Sequence, residues 1–385
     1  MKNAMIITAV SGFLNKFELE NVCILQGLGY QVHYASNVKD PHYFFEFKKL
    51  EELQITMHHI DIARSPYMFR ANKRAYKQLL DLIERYQIRL IHCHTPVGGV
   101  LGRLAGRRFQ NQVKVFYTAH GFHFYKGAPL LNNSVFRMIE SGLARYTDVL
   151  ITINQEDYQA GKTLQLRPGG AVFQIPGAGL DLCAFQRLPD DNKGLEKEKL
   201  GMKADAFHII TVGELNENKN QEVMLCALQK LKKENPKLAE KICYSIYGEG
   251  FFRKRLEKLI QVWHLSDMVS LRGYTQDVRT ALVGADLFAF PSKREGLGMV
   301  AVEALAMGVP VISGDNRGTR EYMQHRKNGS VCKENSAAEY VKEIVYYANV
   351  SSDGMKQMQV YCRESVQKFA KENTNDIMRV VYEKA

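Results

Sequence analysis

Phe290-Pro-Ser-Lys-Arg-Glu-Gly-Leu-Gly-Met-Val-Ala-Val-Glu-Ala-Leu-Ala-Met-Gly-Val-Pro-Val-Ile312 reads as strand, loop, helix and strand in little over twenty residues. Ala285 to Phe290 is a short apolar run that stops at Pro291, as a buried strand does. Met299 to Met307 is apolar all round except for Glu303, and a helix of that kind is buried. Gly308 supplies a stop, Pro310 follows two residues later, and Val309–Ser313 forms the next strand.

Glu303 is the anomaly in this unit. A carboxylate in the second turn of a buried helix needs partners, because an unpaired buried charge is very costly. One solution is a basic residue from another element. The other is a ribose, whose vicinal hydroxyls each donate a hydrogen bond. Glu295 sits just before the helix, where the N–H groups of Gly296, Leu297 and Gly298 are expected to point outward and attract phosphate. The glycines alone would make only a tight turn. With both carboxylates and the strand–loop–helix context, the unit suits a diphosphate, a ribose and a second sugar.

Working outward, the chain alternates short apolar strands with helical stretches. Seven strands are expected in the first half: Ala4–Val10, Gln31–Ala35, Thr56–Ile60, Arg89–Cys93, Lys114–Thr118, Val149–Ile153 and Val172–Ile175. The polar stretch Leu188-Pro-Asp-Asp-Asn-Lys-Gly194 places a boundary near 182–206. The alternation then restarts with His208–Val212, Ile242–Tyr247 and Val269–Leu271. Such alternation means a parallel, doubly wound sheet. Two such α/β halves imply a cleft between them for a nucleotide ligand.

Composition narrows the class. The 385 residues, 45% apolar and 24% charged, fit a soluble globular protein of two or three domains. The N-terminal apolar run is too short for a signal peptide and reads as a first strand. No run of about 18 apolar residues offers a membrane span. Seven dispersed cysteines without a Cys-x-x-Cys pair argue for reduced thiols in a cytoplasm.

The net charge of +11 is uneven, with residues 1–185 holding 21 Lys+Arg against 14 Asp+Glu. Ser65-Pro66 looks like a helix N-cap followed by Pro at the first helical position. Arg70, Lys73, Arg74 and Lys77 then share one helix face, with Met68, Leu79, Leu80 and Ile83 on the buried side. A basic face is ordinarily just solvated, and the other reading is an anionic membrane surface or a phosphorylated acceptor. No nucleic-acid module appears, so no nucleic-acid partner is expected.

Other residues offer chemistry at strand ends. Thr118-Ala-His-Gly-Phe-His-Phe-Tyr-Lys-Gly127 puts His120 just past a strand, where ligands bind in such sheets; a hydrogen-bonded structural His is the alternative. His92, His94, His120 and His123 suggest a metal, but no cysteine or carboxylate completes the set at ligand spacing, so no metal is expected. Gly12, after the first strand, would let backbone approach a diphosphate, or make an ordinary turn. Lys219, in Thr211-Val-Gly-Glu-Leu-Asn-Glu-Asn-Lys-Asn220, can reach a diphosphate as a point charge.

The segment Glu295 to Glu303, a Glu, seven residues and a second Glu, resembles the donor-site motif of the family 4 retaining glycosyltransferases. The resemblance implies the GT-B architecture: two facing Rossmann-like domains, here 1–185 on the acceptor side and 186–364 on the nucleotide-sugar side. It also implies that the last helix, about 365–385, returns to the first domain. By the same resemblance Glu295 touches the transferred sugar, Glu303 holds the ribose, and His120 matches the N-domain His that faces that sugar. Ile175-Pro-Gly-Ala-Gly-Leu-Asp181 resembles the family's inter-domain signature. Tyr247-Gly-Glu-Gly250 and Leu271-Arg-Gly-Tyr274 match loops that line the donor site. The family places Arg after Gly213, and this chain has Glu214, so the diphosphate function of that loop rests on Lys219, with Arg294 a further cation nearby. The block Thr118–Gly127 and the Glu214 variant look like the branch that builds bacterial capsule and exopolysaccharide.

The expected activity is therefore transfer of a hexose or N-acetylhexosamine from a nucleotide sugar, UDP foremost, to a lipid-linked or glycan acceptor, without a cofactor. The expected setting is the inner face of the bacterial cell membrane. Two other readings compete. Gly296-Leu-Gly-Met-Val-Ala301 fits G-x-G-x-x-A and would suit an NAD-dependent oxidoreductase, although it lies five residues past the strand end. A sugar-nucleotide 2-epimerase would share the architecture.

Overall fold

The computed structural model describes residues 2–40, 45–186, 193–199, 201 and 205–384. Most of the linker expected at 188–194 lies outside them. The chain forms two compact units, Met1–Gly179 with Lys371–Ala385, and Leu180–Ala370. The boundaries expected from the sequence were 185/186 and about 365, whereas the units divide at 179/180 and 370/371.

The first unit is built on β1 (Lys2–Ile7), β2 (Tyr30–Ser36), β3 (Thr56–His59), β4 (Ile88–Cys93), β5 (Lys114–Ala119), β6 (Val149–Thr152) and β7 (Ala171–Gln174). They pair in parallel in the order β3-β2-β1-β4-β5-β6-β7. The connecting helices are α1 (Leu19–Gly27), α2 (Phe47–Glu52), α3 (Phe69–Arg85), α4 (Pro96–Arg108), α5 (Leu130–Ala144) and α6 (Gln155–Lys162). Strands such as β1 and β5 are buried on both faces because helices cover the sheet on each side. α4 lies close because it carries glycines: a Cβ on Gly99 would meet the Tyr117 ring at 2.4 Å, and one on Gly106 would meet Val115 at 2.2 Å.

The helical stretch after β1 opens with a π-helical segment, Leu14–Glu18. The wider turn leaves Glu18, an acidic residue, buried at its end. α3 also differs from expectation. It begins at Phe69, because Ser65–Met68 forms a separate turn whose Ser65 carbonyl accepts from Met68 N–H and from the Asn72 side chain. Ser65 is thus no N-cap and Pro66 no first helical residue. Met68 is exposed rather than buried; Ala75, Leu79, Leu82 and Ile83 fill the core side.

The second unit follows with α7 (Lys193–Lys199), β8 (Phe207–Val212), α8 (Gln221–Glu234), α9 (Pro236–Ala239), β9 (Ile242–Tyr247), α10 (Arg253–Val262) and β10 (Val269–Gly273). It continues with α11 (Val278–Val283), β11 (Leu287–Phe290), α12 (Met299–Ala306), β12 (Val311–Gly314), β13 (Gly329–Cys332), α13 (Ala337–Ala348) and α14 (Ser352–Ser365). Its parallel sheet runs β10-β9-β8-β11-β12-β13. β13 was not anticipated: four residues with one glycine give no alternation to read. The final helix, α15 (Lys371–Glu383), belongs to the first unit, where it contacts α1. Each sheet reverses its winding once, between β1 and β4 and between β8 and β11. Ligands bind at such switch points in open α/β sheets.

Candidate functional site

In the second unit the switch point brings two sequence-distant loops together. β8 and β11 are hydrogen-bonded neighbours, so the loops that leave their C-terminal ends lie side by side. Lys219 comes from the first loop and Glu295 from the second. Lys219 Nζ donates to Glu295 Oε1 at 2.6 Å, and the ammonium also lies 5.3 Å from the Phe290 ring centroid. Both side chains are mostly shielded, so the pair is held better than a surface pair. Asn218 Nδ2 donates to the Arg294 carbonyl, and Lys293 N–H to the Asn218 carbonyl, stitching the loops along their length.

Glycine lets the neighbouring backbones close up. Gly248, at φ +143°, sits so near Gly213 that a Cβ would fall 1.9 Å from the Gly213 carbonyl oxygen. Gly298, at φ +86°, is the left-handed N-cap of α12 and has no side chain of its own to cap it. A Cβ there would strike the Phe290 ring at 2.6 Å and approach the Tyr322 hydroxyl at 3.1 Å. That hydroxyl is buried and has no hydrogen-bond partner among the described residues. Burial, and then the Glu295 carboxylate, hold its pKa well above the ordinary phenol value.

α12 is less enclosed than the sequence predicts. Ala301, Val302, Ala304, Leu305 and Ala306 are buried, whereas Met299, Val300 and Glu303 are half-buried. Spacings of three and four put those three on one face. Glu303 is therefore a carboxylate on a partly open strip beside the loop Glu295–Gly298, not a fully buried one. Gly296 and Gly298 are half-buried and Leu297 is buried. Glu214 is exposed.

The first unit gathers its titratable groups at the ends of β1, β4 and β5. His94 Nδ1 lies 3.2 Å from His120 Nε2 and 3.3 Å from Glu18 Oε1. Asn21 Nδ2 donates to the other Glu18 oxygen at 2.7 Å. Phe13 closes over the imidazoles, its ring centroid 5.6 Å from that of His94 and 5.1 Å from that of His120. Gly12 is buried in the turn just before it. Thr95, after His94, stands at φ +64°, ψ +156°, a region that L-residues avoid and that marks stored strain beside a site.

Burial dominates the electrostatics here. It lifts Glu18 to about 8 against the opposing Asn21 hydrogen bond. It lowers His120 to about 4, and lowers His94 well below the usual imidazole value with His92 and His120 adding to the effect. The neutral forms therefore prevail at pH 7, and Glu18, His94 and His120 communicate through hydrogen bonds rather than charges.

Glu18 also changes the metal question. It supplies in space the carboxylate that the sequence spacing lacks, forming a cluster with His92 and His94. His92, however, has both ring nitrogens engaged, Nδ1 with Tyr382 Oη at 2.6 Å and Nε2 with Thr118 Oγ1 at 2.7 Å. A metal would have to displace one of those bonds, so the donor set fits an ion poorly. Glu18 carried no signal in the sequence, because a Glu in an amphipathic run reads as surface. Its role depends on the π-turn.

Arg70, Lys73, Arg74 and Lys77 are exposed on α3, with Arg74 tied to Asp61 at 3.1 Å. His123 takes no part in the imidazole cluster; its ring lies 5.0 Å from that of Phe136. A surface cavity lies between α3 and the loop after α4, lined by Tyr76, Leu104, Arg107 and Arg108, and no expected site residue lines it.

Comparison with known proteins agrees with this picture. Residues 192–364 match the family described as Glycosyl transferases group 1, and residues 4–154 match Glycosyl transferase 4-like. The putative glycosyltransferase EpsD of Bacillus subtilis (strain 168) is 36% identical over 346 residues, covering 89% of this chain and 86% of that protein. An Escherichia coli protein named UDP-Gal:alpha-D-GlcNAc-diphosphoundecaprenol alpha-1,3-galactosyltransferase is 28% identical over 270 residues, 69% of this chain and 68% of that one. Among solved structures, Anabaena HepE in complex with UDP-glucose shares the fold, with a TM-score of 0.78 at 18% identity over 100% of both chains. The two Rossmann-like units, the donor-type motif on α12 and this 36% identity lead to one conclusion: the chain belongs to the family 4 glycosyltransferases of GT-B fold and is a glycosyltransferase.

Proposed function

We propose that the protein is a retaining transferase that moves a hexose or N-acetylhexosamine from a UDP-sugar to a lipid-linked or glycan acceptor in exopolysaccharide synthesis. The observation that carries this reading is the Lys219–Glu295 pair at the switch point, next to the glycine N-cap of α12 and the half-buried Glu303. The relatives support it: one is named for a UDP-galactose donor and a diphosphoundecaprenol-linked acceptor, and others for colanic acid and amylovoran biosynthesis.

Glu303 accepts hydrogen bonds from the ribose hydroxyls, and the backbone at Gly296, Leu297 and Gly298 receives the diphosphate. Lys219 leaves Glu295 for the diphosphate when donor binds, which frees Glu295 to accept from hydroxyls of the transferred sugar. Gly12 lets backbone approach a diphosphate closely. His120 takes the sugar contact that the resemblance gives it, held in orientation by His94 and Glu18. The bond from C1 to the diphosphate oxygen breaks and oxocarbenium character builds on the sugar. The acceptor oxygen attacks C1 from the same face, and its proton passes to a leaving phosphate oxygen. Lys219 and the N–H groups at α12 stabilise the departing charge, which is where the largest catalytic contribution is expected. The mechanism asks for no metal and no cofactor. The exposed basic face of α3 suits attachment to an anionic membrane surface at the inner side of the cell membrane.

The test is a panel of sugar nucleotides screened by thermal shift, then incubated with a sugar-diphosphate lipid and analysed by NMR for the anomeric configuration of the product. Stabilisation by UDP-sugars and transfer with the donor's configuration kept are expected. An inverted product, or a covalent glycosyl-enzyme trapped by mass spectrometry, would overturn the mechanism. Donor converted without acceptor would instead point to the epimerase.

A further inference from the structure

α5 is turned inside out for a helix on a soluble domain. Of its fifteen residues only Leu143 and Ala144 are buried. Leu131, Val135, Met138 and Ile139 lie at i, i+4, i+7 and i+8, a single stripe, and all four are exposed. Leu131 is 76% and Met138 69% exposed, and Leu130 at the helix start is 86% exposed. The one acid of α5, Glu140, points the other way and grips the buried Arg103 at 2.7 Å. The outward face is thus apolar and free of negative charge.

A second exposed apolar group lies in the same layer. α4 contacts both α3 and α5, which therefore flank it, roughly 20 Å apart at two helix spacings. Tyr67, Met68 and Phe69, at the start of α3, are all exposed. In a parallel sheet the helix that follows a strand starts at the strand's C-terminal edge, so both apolar groups sit at the edge that carries His94 and His120. Directly beyond Phe69, α3 presents Arg70, Lys73 and Lys77 to solvent.

We propose that α5 and the Tyr67–Phe69 turn insert into the interface of an anionic bilayer, with the basic face of α3 on the headgroups. A monomeric protein seldom leaves so continuous an apolar stripe exposed without a partner. One occupant satisfies both features, because a bilayer offers apolar chains beneath negative headgroups in a single plane. No described helix is long and apolar enough to cross a membrane, so the contact is interfacial. The proposal rests on the reading of a lipid-linked acceptor, and it brings the His120 edge of the first unit down to the surface where such an acceptor lies.

Sedimentation of the full chain with phosphatidylglycerol–phosphatidylcholine vesicles tests this. The wild type is expected to pellet with anionic vesicles and much less with phosphatidylcholine alone. Leu131→Ser/Met138→Ser should weaken binding by about tenfold, as should Arg70→Ser/Lys73→Ser/Lys77→Ser. Melting temperature and UDP binding should stay at the wild-type values in both variants. Wild type remaining in the supernatant, or Leu131→Ser/Met138→Ser pelleting like wild type, would overturn the proposal. So would a lipid-free dimer in analytical ultracentrifugation that Leu131→Ser/Met138→Ser disperses, since the stripe would then belong to a second copy. Failure of the glycosyltransferase reading would appear separately, as absent UDP binding in the wild type.

Discussion

Glu18 is an acid whose burial works against its ordinary ionisation. Burial raises its folded pKa to about 8 from 4.5, so the folded state holds a proton that the unfolded chain releases. The stability this group contributes is complete below 4.5 and declines as pH rises toward 8. The histidines act with the opposite sign. The folded pKa values of His92 and His120, at about 3 and 4, lie below 6.5, so their contribution is complete above 6.5 and declines as pH falls. Between pH 6.5 and pH 8 the Glu18 effect, worth roughly 2 kcal/mol, runs against the tail of the histidine effect and is isolated by comparison with Glu18→Gln. Urea unfolding across that window should show the wild type losing about this much stability relative to Glu18→Gln. Parallel curves for the two proteins would mean that Glu18 is ionised in the fold. None of this is legible in the sequence, because it depends on a π-turn that aims the side chain inward.

At the scale of elements, α12 and its leading loop were the most legible part of the chain. Gly308 and Pro310 fix the helix end, and the helix runs Met299–Ala306 against an expected Met299–Met307. Its degree of enclosure was not legible: an all-apolar run does not say which strip a neighbouring loop leaves open. Gly298 carries the element's strictest demand, since it combines φ +86° with contact against Phe290. Gly298→Ala should cost about 1–3 kcal/mol, more than Gly→Ala at an unstrained site. Thermal unfolding checks this, and a melting temperature equal to wild type would show that the loop re-forms without a left-handed residue. The α3 start was misjudged because Ser-Pro is a turn signal as well as a capping signal, and Asn72 decides between them in space. β13 was too short to read.

For the whole molecule, strand–helix alternation gave both doubly wound sheets, because period and order survive without any knowledge of contacts. The pairing of Lys219 with Glu295 follows from that topology, as both loops leave strands adjacent at the reversal of winding. Residue spacing alone could name each of them but could not bring them together. The central claim is that this switch point binds a nucleotide sugar rather than a nicotinamide. Calorimetric titration with UDP, and in parallel with NAD, on wild type, Lys219→Ala and Glu303→Ala tests it most directly. UDP should bind the wild type, each substitution should weaken it by about tenfold or more, and NAD should not bind. Binding of NAD, or UDP affinity untouched by both substitutions, would contradict it.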